Sequence, residues 1–227
     1  MDEIYQRTSL VLGEANLDKL KKSNICICGI GGVGSYALEA LARIGIGNIT
    51  IIDKDNVDIT NINRQLIATV DNVGNAKVKE AKKRISSINP EIQITAIQDF
   101  VDSNNVEKYI TEDYDYVIDA IDSVDSKIAI TKTCKQKNIK IISSMGMANR
   151  IDPLKLKITD IYKTEVCPLA KTVRKKLKEE KIDKLKVVFS TENPIKTESK
   201  TLGSVSYVPS VAGLVIASEV VKDLLIS

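Results

Sequence analysis

Residues 24–34 read NICICGIGGVG and run straight into SYALEALARIG. A short apolar run ending in glycines is the pattern of a buried parallel strand. From residue 33 to residue 44 apolar side chains recur at helical spacing, and Gly45 and Gly47 then close the helix. Gly29, Gly31 and Gly34 satisfy G-x-G-x-x-G, with Gly32 filling the turn. Glycine here permits a tight turn and a close backbone approach, and the helix N-terminus supplies unpaired N–H donors to a phosphate. Strand, glycine turn and helix in that order predict a nucleotide-binding sheet, but not which nucleotide.

The flanking sequence repeats the alternation. Residues 48–53 (NITIID) form a second β-branched strand ending in an acid, and residues 76–88 read as a basic amphipathic helix stopped by Asn89-Pro90. Further strands are predicted at 92–97, 116–120 and 140–144, with helices at 106–110 and 127–137. This spacing implies right-handed crossovers and a Rossmann-like, doubly wound, mostly parallel α/β sheet. After about residue 150 the pattern changes: strands at 154–159 and 187–190 flank a very basic helix at 169–180, and a last helix spans 209–225. The expectation is a single domain over residues 1–227, with a nucleotide-binding core to about residue 150 and a small C-terminal extension from about 151.

With 227 residues, 43% hydrophobic and 28% charged, the chain can bury the core of one such domain. A net charge of +3 neither demands nor excludes nucleic acid. No apolar leader opens the sequence, and the uncharged part of the last apolar run, residues 205–218, is shorter than a membrane span and carries Pro209. It reads as part of a buried final helix, with no membrane partner. Cys26, Cys28, Cys134 and Cys167 include no C-x-x-C pair, which argues against structural zinc or a secreted disulfide scaffold and for a reducing, cytoplasmic setting. The chain has no histidine, so Ser-His-Asp and Cys-His catalysis and histidine-ligated metals are excluded.

Asp53 ends the second strand about 20 residues beyond the glycine turn, where an acid accepts hydrogen bonds from ribose hydroxyls. That much suits an NAD enzyme equally well. The next residues separate the cases. KDNVDITNINRQ carries Asp55 and then Asn61, Arg64 and Gln65 as N-x-x-R-Q, and VGNAK adds Gly74 and Lys77 as G-x-x-K. One guanidinium and one ammonium beyond the ribose suit a triphosphate, since Arg bridges oxygens bidentately and Lys acts as a point charge. A dinucleotide has no use for two cations there. The fourth strand ends in DAID, which puts Asp119 and Asp122 at the carboxyl edge where doubly wound sheets bind ligands. An acid beside phosphates implies a Mg2+ bridge, with Asp122 as the ligand. The structural alternative makes Arg64 and Lys77 surface charges and Asp122 the cap of the following helix.

The series GIGGVG, IDKDNVDITNINRQ, VGNAK and DAIDS, within roughly residues 5–145, resembles the ubiquitin-activating-enzyme-like adenylating family, which includes activators of small sulfur-carrier proteins. The resemblance implies ATP and Mg2+ as cofactors, adenylation of a carboxylate and release of pyrophosphate; a monovalent-ion requirement stays open. Carried over by motif, the nucleotide-binding set is Gly29, Gly31, Gly32, Gly34, Asp53, Asp55, Asn61, Arg64, Gln65, Lys77 and Asp122. The catalytic set is Arg64, Lys77 and Asp122 with Arg7. Arg7, in YQRTSL, resembles an arginine that family members insert into the neighbouring subunit's site, which implies a homodimer. The stretches RIDPLKLKITDIYKT, PLAKTVRKKL and VVFSTENP are similar to a tRNA-modifying branch whose members use ATP to cyclise the threonylcarbamoyl group on the adenosine next to the anticodon. Sulfur-relay protein partners stay open.

Residues 171–186 carry Lys171, Arg174, Lys175 and Lys178. On charge alone they are either a tRNA phosphate surface or the solvated face of an amphipathic helix, because Glu179, Glu180 and Asp183 interleave. The resemblance favours tRNA. Cys167, before Pro168, stands where that branch usually has an acid; it reads either as packing or as a thioester nucleophile. Gly146 either shapes a substrate pocket or makes a turn. The rival activities are adenylyl transfer to a ubiquitin-like sulfur carrier, whose usual C-x-x-C pairs are missing, and NAD-dependent oxidoreduction, which leaves Arg64, Lys77 and Asp122 idle.

Overall fold

Asn24–Cys28 (β1) is buried on both faces, so it must lie between two helical layers. The computed structural model describes residues 2–199 and 201–226. Among these, six further strands join β1 in one sheet: β2 (Asn48–Ile52), β3 (Gln93–Ile97), β4 (Tyr116–Asp119), β5 (Lys140–Ser144), β6 (Leu156–Asp160) and β7 (Lys186–Ser190). Their order is β3-β2-β1-β4-β5-β7-β6, parallel throughout except for β6, which runs antiparallel to β7. The predicted α/β sheet is therefore present, and the C-terminal segment continues it rather than standing apart.

The helices are α1 (Gln6–Leu12), α2 (Glu14–Lys22), α3 (Gly34–Ile44), α4 (Lys77–Ile88), α5 (Val106–Tyr109), α6 (Val124–Gln136), α7 (Pro168–Glu179) and α8 (Tyr207–Ile226). Ile25 and Ile27 of β1 pack into one core with side chains of α2, α3, α4 and α8. Cys26 and Cys28 face the other, with α5, α6 and α7. Their sulfurs lie 3.9 Å apart, as the same-side reading of the strand requires. Sequence reading missed α1 and α2: α1 buries no residue, and α2 buries only Leu17 and Leu20. Pro209 sits in the first turn of α8, where a missing N–H costs nothing. No helix among the described residues is long and apolar enough to cross a membrane.

Strand register aligns the functional loops. Cys28 is opposite both Ile52 of β2 and Asp119 of β4. Beyond it, the Gly29 N–H donates to the Ile52 carbonyl at 2.8 Å and the Ala120 N–H to the Cys28 carbonyl at 2.8 Å. The glycine turn, Asp53 and the loop bearing Asp122 thus emerge side by side where the strand order reverses. α8 crosses close over the start of α3: a Cβ on Gly213 would lie 2.3 Å from the Val33 carbonyl oxygen.

Candidate nucleotide site

A cavity of about 930 Å3 opens at this edge, walled by the glycine turn, the ends of β2, β4 and β5, and segments from 99–101 and 201–204. Two glycines are fixed by close approach. Gly29 has φ of +92°, and a Cβ there would lie 2.7 Å from the Ala120 carbonyl oxygen. On Gly34 a Cβ would lie 1.8 Å from the Gly29 carbonyl oxygen, so α3 can start here only with glycine. Gly31 and Gly32 line the cavity.

Both carboxylate oxygens of Asp53 already accept backbone hydrogen bonds, Oδ2 from the Ile30 N–H at 2.6 Å and Oδ1 from the Asp55 N–H at 2.8 Å. Each oxygen keeps a lone pair for a ribose hydroxyl, and the side chain is locked onto the glycine turn. Beside it, Ile52, Phe100, Val101 and Ile121 give the cavity an apolar slot suited to a base. Sequence reading missed Phe100 and Val101; the signal was that they follow β3, a third strand ending at the same edge.

The N-x-x-R-Q stretch is shaped by a capping box. The Asp58 side chain accepts from the Thr60 N–H, and Asn61 Oδ1 accepts from the Asp58 N–H at 3.1 Å. Asn61 is buried and lines the cavity, as does Gln65, whose Oε1 is buried with no hydrogen-bond partner. An orphaned acceptor in a cavity wall is where a ligand donor belongs. Arg64 lines the same wall and donates only to neutral oxygens, Thr60 O at 2.8 Å and Asn63 Oδ1 at 2.9 Å. Lys77 opens α4 and is 5% exposed, its Nζ 3.1 Å from Oδ2 of Asp55. Both residues line the cleft, Lys77 buried and Arg64 part-exposed with its guanidinium held by Thr60 and Asn63.

The two acids of DAID separate. Asp122 is exposed on the cavity wall, and the cap of α6 is Ser123, whose hydroxyl accepts the Ser126 N–H, so the helix-cap alternative for Asp122 fails. Asp119 is fully buried against Lys127 and is not open to a ligand. A single carboxylate plus phosphate oxygens is a sufficient set for Mg2+, which keeps several waters. Among the described residues no cluster of three or more His, Cys, Asp or Glu forms a dedicated metal cage.

On the far side the cavity is walled by Ser144, Met145, Gly146 and Met147, and by Leu202, Gly203 and Ser204. The 203–204 stretch is strapped down from both sides: Gly203 N–H donates to Asn149 Oδ1 at 2.7 Å, and Asn63 Nδ2 donates to the Ser204 carbonyl at 2.9 Å. Cys167 lies behind the wall, 5% exposed, with its sulfur 3.7 Å from where a Gly146 Cβ would be. Burial and the Cys26 thiol push Cys28 well above the usual thiol range, the sulfur contact being the larger cause, and burial raises Cys134 likewise.

Two predicted groups lie outside this cavity. Arg7 is exposed on α1, and no part of it lines the chain's own cavity. On α7, Lys171, Lys175 and Lys178 are exposed, but Arg174 is drawn inward, its Nη1 donating to Thr164 O and Thr164 Oγ1, each at 2.7 Å.

A model described as the ThiF family matches residues 5–226. A Bacillus subtilis tRNA threonylcarbamoyladenosine dehydratase is 44% identical, over 97% of this chain and 94% of its own length. The Escherichia coli protein of the same name is 46% identical over 82% of this chain and 72% of its own length. The crystal structure of the E. coli dehydratase in complex with ATP superposes with a TM-score of 0.94 at 40% identity, covering 99% of this chain and 95% of that one.

Proposed function

The chain belongs to the ThiF family, and from that membership we propose that it is an ATP-dependent dehydratase that cyclises N6-threonylcarbamoyladenosine in the anticodon loop of tRNA. The observation that carries this reading is end-to-end similarity to the B. subtilis dehydratase. It includes the C-terminal half, which walls the far side of the cavity, and not only the nucleotide motifs shared by distant adenylating relatives.

ATP would seat its base in the slot of Ile52, Val101 and Ile121, its ribose on Asp53, and its phosphates between the glycine turn, Arg64 and Lys77. Asp122 would hold Mg2+ against the phosphates; bound there, the ion offsets their charge. The threonyl carboxylate, already an anion, needs no general base. Its oxygen attacks the α-phosphorus as the bond to the pyrophosphate oxygen breaks, and Arg64 and Lys77 stabilise the charge that departs. The substrate's own carbamoyl group then attacks the acyl carbon. AMP leaves with the former carboxylate oxygen, a proton is lost, and the ring closes. No step needs an enzyme nucleophile, in keeping with a chain that has no histidine and a Cys167 that lies behind the wall.

We further assign Arg7 to the site of a second copy in a homodimer. It projects from a helix with no buried residue, flanked by Leu10 and Val11, which are 82% and 83% exposed. Lys171, Lys175 and Lys178 would meet tRNA phosphates, and the setting would be cytoplasmic. The test is AMP release from ATP and Mg2+ with threonylcarbamoylated tRNA, unmodified tRNA or a sulfur-carrier protein. Turnover with modified tRNA alone supports the reading, whereas carrier-dependent turnover replaces it with adenylyl transfer.

A further inference from the structure

The ion pair between Lys127 and Asp119 is wholly buried, each side chain 0% exposed. Burying two charges is costly, and an apolar pair of similar volume commonly serves a fold as well or better. The geometry gives this pair another use. Asp119 Oδ2 accepts from Lys127 Nζ at 3.0 Å and from Ser143 Oγ at 2.6 Å, while Oδ1 accepts from the Ile121 N–H at 3.2 Å. Lys127 Nζ also donates to Ser143 Oγ at 3.1 Å and to the Ser144 carbonyl at 2.8 Å. The network therefore ties three elements at one point: the loop after β4, α6, and the end of β5. Ile121, Asp122 and Ser123 of that loop wall the nucleotide side of the cavity, and Ser144 and Met145 wall the far side.

We propose that Asp119, Lys127 and Ser143 form a positioning network that holds the Asp122 carboxylate in register with the far wall, so that phosphate and acceptor meet at a fixed distance. None of the three lies on the reacting atoms. The inference rests on the nucleotide role proposed for Asp122. Its test is a cycle read in magnesium–ATP affinity by calorimetry. The paired substitution Asp119→Asn with Lys127→Met removes both charges together and leaves neither buried alone. It should keep the melting transition and weaken magnesium–ATP binding by on the order of tenfold, the range of coupling between neighbouring groups. Adding Asp122→Ala should weaken binding no further, because what the network positions is already gone. Losses that multiply in the combined variant, or a paired variant that binds like the unaltered chain, would overturn the proposal. Ser143→Ala keeps both charges and goes through the same cycle; it decides the matter if the paired variant does not fold. AMP release by the unaltered chain with modified tRNA is measured separately, so failure of the dehydratase reading is distinguishable from failure of the network.

Discussion

Replacing Lys77 with Met isolates what the buried ammonium does for ATP. Met keeps most of the aliphatic stem, which is packed at the start of α4, and removes only the charged head. The lost partner is Asp55, whose side chain is 51% exposed, so its carboxylate returns to water. A pair of that kind is worth about 0–1 kcal/mol to the fold. At two to four degrees per kcal/mol, the melting point should move by no more than about 4 °C. The consequence for a phosphate is larger, because the side chain of Lys77 is only 6% exposed and there is little water to replace it. A hydrogen bond to a charged group contributes about 1.5–3 kcal/mol. That corresponds to roughly a ten- to hundredfold weaker ATP dissociation constant. Thermal melting reads the first quantity and titration calorimetry against ATP with magnesium the second. A Lys77→Met protein that binds ATP within about twofold of the unaltered chain would refute the placement of the triphosphate, because a buried cation in contact with phosphate is not removed at so small a cost.

Asp122→Ala should abolish AMP formation with modified tRNA, while its exposed position keeps the melting point within about 2 °C; full turnover sinks the assignment. Gly34→Ala drives a Cβ into the Gly29 carbonyl and should cost at least about 1 kcal/mol, together with ATP binding, seen as a fall in melting temperature that ATP no longer offsets. Acid stability carries a further expectation. Burial raises the carboxyls of Glu39 and Asp223, but Arg84 and Arg43 in one case and Lys186 and Tyr116 in the other outweigh it and hold each below its usual value. Their contribution is present above the ordinary carboxylate range and is lost as pH falls through the lowered folded values. The double variant Glu39→Gln with Asp223→Asn should melt with a shallower acid limb between about pH 5 and pH 3, and an unchanged slope contradicts the assignment.

Much of this site was legible because its signals are local. A glycine turn between strand and helix, an acid at the next strand end, and cations at fixed spacing after it are all read along the chain. Parallel register then brings them together without further instruction. The misses have the opposite character. DAID presents two acids that look equivalent, yet Asp119 ends β4 facing inward and finds Lys127 on α6, whereas Asp122 lies beyond the strand and faces the cavity. Nothing in a linear reading predicts a lysine with no exposure at all, since that residue type is almost never fully buried. Arg174 likewise reads, with Lys171, Lys175 and Lys178, as a tRNA-facing cation, yet it is drawn inward. Its position on α7 looks like that of Lys171 and Lys175, and only the fold brings the Thr164 carbonyl and hydroxyl within its reach. The N-terminal helices escaped because α1 has no inward face and α2 buries only Leu17 and Leu20, too few to set a periodic pattern.

The cations and Gln65 share one property that bears on how the site works. Arg64 is held by a backbone carbonyl and an amide oxygen, Lys77 by one half-exposed carboxylate, and Gln65 Oε1 by nothing among the described residues. For the two cations, each partner is good enough to fix the side chain's direction and weak enough to be exchanged for phosphate, whereas Gln65 Oε1, an acceptor, is left for a ligand donor. Asp119 and Lys127 show the reverse arrangement, with every bond made and no exposure. Replaceable bonds thus lie on the wall of the proposed nucleotide site and fully made, buried ones directly behind it. A substitution at Asp55 separates the two behaviours. Asp55→Asn removes the competitor for Lys77 while leaving the Asp119 network intact. The family motif puts Asp55 in the nucleotide-binding set, whereas its ion pair makes it a competitor for Lys77; apparent ATP affinity should hold or rise if pairing is its whole role, and a loss comparable to that of Lys77→Met assigns Asp55 to the nucleotide.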